Sequence, residues 1–265
     1  MIKLVITDLD GTFLNSQGDF DKEHYKKVRR LMNKKEVVFA ACTGKQCERV
    51  EELFGEELSQ NIWILGDSAT RIKHNGEYVY ESLLKNELGV SIIEKLEEIA
   101  TDHIIIACTP TAAFIKSTTP EADAKMIRRS YAVVKTVDDY QDIQEDFVKI
   151  TVFDIQKRCF EHVKELDSFK DRAYIVASEA AWIDISNYGV HKGTTVEELQ
   201  KMLGVTKEET MAFGDGLNDR ELLETATYSF AMSNAFEEIK EIAAFVTKSN
   251  DESGVLTTIE KILAL

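Results

Sequence analysis

Proline is nearly missing from this chain, with two residues in 265, and the 13 glycines form no tract. That excludes a stiff proline-rich linker and a flexible glycine-rich one, so any domain joints must be short and unmarked in composition. The four cysteines, Cys42, Cys47, Cys108 and Cys159, fall at irregular spacings with no C-x-x-C pair. A disulfide framework and a zinc ribbon are both excluded, which leaves buried thiols in a reducing compartment. No apolar run approaches 18 residues, so no membrane-spanning helix is expected. The run Ile2-Lys3-Leu4-Val5-Ile6 is too short and too β-branched for a signal peptide, and a cytoplasmic location is expected. Basic residues are outnumbered 32 to 47, giving a net charge of −15. Nucleic acid is an unsuitable partner, because its phosphates must be matched by clustered Lys and Arg. The same acidity would repel a small anionic substrate unless a metal ion intervened.

The material for a core is ample: 44% of residues are apolar and 30% charged. The length suits one large domain or two smaller ones. Near-continuous apolar runs at 2–6, 37–41, 62–65 and 211–213 read as strands buried on both faces, as in a parallel sheet. Between them lie helical patterns, one through Tyr25, Val28, Leu31 and Met32, another through Val196, Leu199 and Leu203, closed by Gly204 as a C-cap. This alternation predicts an α/β fold with a doubly wound, mainly parallel sheet. From 82 to 187 the pattern changes. Two amphipathic helices are expected, through Ile92, Leu96 and Ile99 and through Cys159, Val163 and Leu166. Strands such as Val148–Val152 alternate apolar and polar positions. An inserted α+β domain is expected there, an antiparallel sheet with helices on one face, while residues 1–81 and 188–265 form the core.

Chemistry-bearing residues gather at the ends of the predicted strands. Asp8-Leu9-Asp10-Gly11-Thr12 follows the first strand, and residues two apart on an extended segment point the same way. Two carboxylates so close require a cation or a shared proton. Thr43-Gly44-Lys45 ends the second strand, where a hydroxyl and free backbone N–H groups suit a phosphate oxygen. Lys192 opens a helix, against the macrodipole. Gly214-Asp215-Gly216-Leu217-Asn218-Asp219 follows another strand and carries more polar side chains than helix capping requires. Each motif alone is a common turn. In an open α/β sheet, however, all four converge outside the carboxyl ends of the strands. Their hard oxygen donors suit Mg²⁺.

This set of motifs, in this order, resembles the haloacid dehalogenase-like hydrolase superfamily. An insertion between the second and third motifs is similar to that of its class IIB members, the Cof-type sugar-phosphate phosphatases. The resemblance extends to Ala231–Ala235 and to the stretch 250–255. It implies Asp8 as a nucleophile forming an aspartyl-phosphate and Asp10 as general acid and then base. Thr43, Gly44, Lys192 and Asn218 would bind the transferring phosphate. Mg²⁺ would be held by Asp8, the backbone carbonyl of Asp10 and Asp215, with Asp219 and Asn218 supporting those ligands. Lys45 replaces the family's usual Arg, Asp67-Ser68-Ala69 its Asn-Gly-Ala, and Ser233 a Gly, and all three departures are expected to lie outside the chemical centre. The expected partner is a small phosphate ester, with no nucleic acid and no membrane, bound by a monomer or weak homodimer. A phosphomutase with the same nucleophile and a non-catalytic metabolite sensor remain alternatives. Lys116, Arg128 and Arg129 are read as solvated residues of the insertion.

Overall fold

The structure is a computed structural model and describes residues 1–264. The chain divides into two compact units, residues 1–79 with 192–265, and residues 80–191.

The first unit is built on an eight-stranded sheet. Its order is Phe245–Val246, Tyr228–Ala231, Thr210–Gly214, Leu4–Thr7, Val38–Cys42, Trp63–Gly66, Arg71–His74 and Glu77–Glu81. The first six strands in this order run parallel, and Arg71–His74 returns antiparallel. Taken in chain order, the parallel strands step outward on one side of Leu4–Thr7 and then on the other. This is the doubly wound arrangement the alternating pattern predicts. Leu4–Thr7 is buried along its whole length, as its continuous apolar run requires. Helix Lys22–Lys34 starts at Asp21, whose side chain accepts from His24 N, and turns Tyr25, Val28 and Met32 inward. There Phe13, Phe20, Tyr25, Phe39 and Phe54 pack with ring centroids 4.8–6.4 Å apart. Phe13 thus pins the segment after Asp10-Gly11-Thr12 into the core.

The second unit carries a six-stranded sheet ordered Ala173–Glu179, Trp182–Asn187, Lys149–Phe153, Ile104–Cys108, Ala113–Lys116, Val134–Val137. All of its pairings but the last are antiparallel. Helices cover both faces, which corrects the one-sided expectation. Ile105 and Ala107 meet Ile92, Ile93 and Leu96 of helix Asn86–Ile99, while Ile106 and Cys108 meet Ala124 and Ile127 of helix Glu121–Ser130. The continuous apolar run Ile104–Cys108 is the sequence correlate, since both of its faces are buried. Lys149 and Thr151, expected half-exposed, are buried as well. The helix expected through Cys159, Val163 and Leu166 is one α-turn, Cys159–His162, followed by a 3₁₀ segment, Val163–Phe169. Val163, Leu166 and Phe169 all face the core at a spacing of three, which is the 3₁₀ period. Lys116 pairs with Glu97 and Arg128 with Glu121; Arg129 is exposed.

One polar network in this unit is buried. The Asp154 carboxylate accepts from Gln156 N, Arg158 N, Arg158 Nε and Arg158 Nη2 at 2.8–3.0 Å. His103 Nε2 and His162 Nδ1 lie 2.8 Å apart beside it. With all four lone-pair directions of Asp154 filled, two imidazoles remain, fewer donors than the four of a structural zinc site. Hydrogen bonds from Arg158 hold the Asp154 carboxyl well below the usual carboxylate range. A carboxyl depressed on folding stabilises fully above its unfolded value and loses that contribution as pH falls. Asp154→Asn should therefore cost about 2 kcal/mol near neutrality. In urea titrations, the gap between variant and wild type should close as pH falls from about 5 towards 2.

Candidate active site

Register brings the site together. Thr7 stands opposite Ala41 on one neighbouring strand and Phe213 on the other, so Asp8 leaves the sheet level with Cys42 and Gly214. Asp8 N extends the ladder by one rung to Phe213 O at 3.0 Å. The order of the sheet reverses between Leu4–Thr7 and Thr210–Gly214. At such a switch point the connections splay apart and leave a crevice.

Lys192, the first residue of helix Lys192–Leu203, reaches this crevice and is 5% exposed. Its Nζ lies 2.7 Å from Asp8 Oδ1 and 2.5 Å from Asp219 Oδ1. Asp219 folds back over Gly214, where an added Cβ would lie 2.6 Å from Asp219 Cβ. That close approach lets Asp219 Oδ2 accept from Asp215 N at 3.0 Å and Gly216 N at 2.9 Å. The helix expected near Asn218 begins as a 3₁₀ turn, Leu217–Asp219, and becomes α-helical at Arg220. Asp219 thus caps its own loop from within the helix start. Asp215 completes the cluster, its Oδ1 accepting from Thr12 Oγ1 at 2.5 Å. Ligand atoms of Asp8, Asp215 and Asp219 all lie within 4.8 Å of one another.

The electrostatics follow from crowding. Burial pushes the Asp8 carboxyl well above its usual range; Lys192 opposes the shift, and Asp219, Asp215 and Asp10 add to it. Burial and Asp219 likewise push Asp215 up to about 6. Burial alone would depress Lys192, but Asp219 and Asp8 outweigh it and hold its ammonium above the usual range. Fully ionised, three carboxylates against one ammonium would leave two excess negative charges. A divalent cation with oxygen ligands would neutralise that excess. Asp219 has both oxygens committed, so Asp8 and Asp215 are the carboxylates that fit such an ion.

Asp10 sits apart from that cluster. Its side chain is 60% exposed and pairs with Lys45 Nζ at 2.8 Å. Lys45, one of the departures from the family pattern, is therefore in direct contact with a residue of the first motif. Thr43 is buried, and its hydroxyl accepts from Lys45 N at 3.2 Å. Gly44 is exposed and Asn218 half-buried at the neighbouring strand ends. Asp67, Ser68 and Ala69 adopt three successive left-handed conformations, with φ of 56°, 60° and 64°. Their amides bind the second loop, Asp67 N to Lys45 O at 2.7 Å and Ser68 N to Thr43 O at 3.1 Å. Thr195 Oγ1 holds Ala69 O at 2.6 Å from the lysine helix. The C-terminal motifs buttress the first loop: Asn234 Nδ2 donates to Gly11 O, Asn250 Nδ2 to Leu14 O, and Asn250 N to Asn234 Oδ1. Thr12 and Lys45 were given no role from sequence, although both lie within the motifs and Lys45 stands where the family usually has Arg.

The sequence pattern of the haloacid dehalogenase-like hydrolases matches residues 5–259. The chain belongs to that family. YbjI of Escherichia coli K12, named a 5-amino-6-(5-phospho-D-ribitylamino)uracil phosphatase, is 27% identical over 264 residues, spanning 99% of this chain and 96% of that protein. The Bacillus subtilis phosphatase YwpJ is 27% identical over 294 residues, 99% of this chain and 100% of the relative. Crystalline SMU.1108c from Streptococcus mutans UA159 superposes with a TM-score of 0.94 at 31% identity over 100% of both chains. The fold is also that of the subclass IIB sugar phosphatase BT4131, with a TM-score of 0.82 at 21% identity, covering 99% and 100% of the two chains. Within the haloacid dehalogenase-like hydrolases the chain is a phosphatase of the Cof type. None of its helices is long and apolar enough to cross a membrane, among the described residues.

In this hydrolase Asp219 binds one ammonium and two amides at once. Asp219→Ala should destabilise the first unit by about 2 kcal/mol, because two part-buried amides lose their acceptor and Lys192 keeps only Asp8. Asp219→Asn, which retains an acceptor for the loop amides, should cost clearly less. Denaturant titration of both variants measures the difference.

Proposed function

We propose that this chain is a Mg²⁺-dependent phosphomonoesterase that works through an aspartyl-phosphate on Asp8. The observation that carries the proposal is the buried Lys192 ammonium shared between Asp8 and Asp219 at a sheet switch point. A carboxylate held against a cation and crowded by Asp215 is oriented as a nucleophile. Asp8 Oδ would attack phosphorus in line while the bond to the leaving oxygen breaks. Asp10 would give that oxygen its proton, then take one from the water that releases phosphate from Asp8. Lys192, the Thr43 hydroxyl, the Gly44 amide and the Asn218 amide would share the phosphoryl oxygens and their growing charge. Asp8, Asp215 and the carbonyl of Asp10 would hold Mg²⁺. Bound there, it supplies charge neutralisation for the phosphoryl group and for the carboxylates themselves. Asp219 would orient Lys192 and the 215–216 loop without touching substrate.

The substrate would be a small phosphorylated metabolite, a sugar phosphate by class. Support comes from relatives named for a phosphorylated ribityl compound and from the net charge of −15, which disfavours polyanions. Asp8→Asn should lower turnover of an aryl phosphate at least about 10³-fold, as loss of a nucleophile does. Full activity in that variant removes the mechanism. Chelation with EDTA should abolish turnover in the wild type and Mg²⁺ should restore it. Free phosphate from a hexose monophosphate supports a phosphatase; an isomerised hexose phosphate means a mutase.

A further inference from the structure

We infer that Lys45 is a positioning residue for Asp10, holding its side chain on the leaving-group side. The inference rests on Asp10 being the acid of the proposed function.

Asp10 is 60% exposed, and its backbone bridges to Leu14. A carboxylate on a loop with most of its surface in water samples several rotamers. Acid catalysis requires it to meet one oxygen in one geometry. Most exposed ion pairs are worth too little to enforce that. Lys45 is not an ordinary surface lysine, however. Its side chain is 35% exposed, its N–H donates to Thr43 Oγ1 and its C=O accepts from Asp67 N. The second of these anchors comes from the left-handed run Asp67-Ser68-Ala69. Residues other than glycine in that region are strained by roughly 1–2 kcal/mol each. The fold therefore sustains local strain in order to fix the 43–45 loop, and Lys45 Nζ emerges from that loop 2.8 Å from Asp10 Oδ2.

Proton bookkeeping gives the pair a direction. In the first half-reaction an Asp8 oxygen bonds to phosphorus, the bond from phosphorus to the leaving oxygen breaks, and the Asp10 proton moves to that oxygen. Asp10 must stand within reach of that oxygen when its proton moves, and the contact with Lys45 keeps it there. In the second half-reaction a water oxygen bonds to phosphorus, the Asp8 ester bond breaks, and Asp10 recovers a proton from that water. The benefit of Lys45 in the first half must scale with how badly the leaving oxygen needs a proton. An alkoxide needs it; a nitrophenolate does not.

The test compares wild type, Lys45→Met and Lys45→Arg with Mg²⁺ on p-nitrophenyl phosphate and on alkyl phosphates such as hexose 6-phosphates and glycerol phosphate. The readout is kcat/KM, which covers only steps up to leaving-group departure. Lys45→Met should lower the ratio of alkyl to aryl kcat/KM about tenfold, a part of what general acid catalysis contributes. Lys45→Arg should restore most of that ratio. Equal losses on both substrates in Lys45→Met, or no loss on either, overturn the inference. So does a wild type that hydrolyses aryl phosphates only, since no poor leaving group would then be protonated. Turnover by Asp8→Asn would instead overturn the proposed function, so the two failures are distinguishable.

Discussion

A single buried ammonium organises this site. Lys192 enters from the start of a helix, where the macrodipole disfavours it, and is taken out of water almost completely. Both costs are met only because Asp8 and Asp219 converge on it from two other loops. Asp219 is in turn fixed by the amides of Asp215 and Gly216. Without the lysine, three carboxylates from two chain segments would face each other in low dielectric. With it, full ionisation would leave two excess negative charges, and a divalent cation fits that balance.

Around this centre the fold supplies position rather than chemistry. The parallel ladder sets Asp8 level with Cys42 and Gly214, and the aromatic cluster at Phe13 anchors the loop that follows. Asn234 and Asn250 tie the same loop down from the C-terminal side. The left-handed run at 67–69 binds the second loop and meets the lysine helix at Thr195. Loops that would otherwise be mobile are thereby cross-braced to one another, as a site that must hold reacting groups within fractions of an ångström requires.

Much of this was legible in sequence because parallel strands leave a strong signal. Continuous β-branched runs ending in Asp-x-Asp-Gly, Thr-Gly or Gly-Asp-Gly announce both the strand and its carboxyl end, and the topology rule then says where those ends meet. What stayed hidden depended on contacts across the chain. That Asp219 rather than Asp10 joins the carboxylate cluster follows from a 3₁₀ turn and a close approach at Gly214, neither of which has a periodic signature. The Lys45–Asp10 pair joins residues 35 positions apart on two loops. In the inserted unit, Lys149 and Thr151 looked solvent-facing by alternation, but helix Glu121–Ser130 covers the second face near them. The 3₁₀ segment after His162 was masked because a spacing of three is shared with α-helical patterns.

The central claim is that Asp8 carries the phosphoryl group between substrate and water. Acid quenching of the protein during turnover of an aryl phosphate with Mg²⁺, followed by mass spectrometry of its peptides, tests that claim directly. The account predicts that the peptide bearing Asp8 gains one phosphoryl group, and that Asp8→Asn gains none. A phosphoryl group found on another residue, or rapid phosphate release with no adduct on Asp8 in a rapid-quench series, would contradict it.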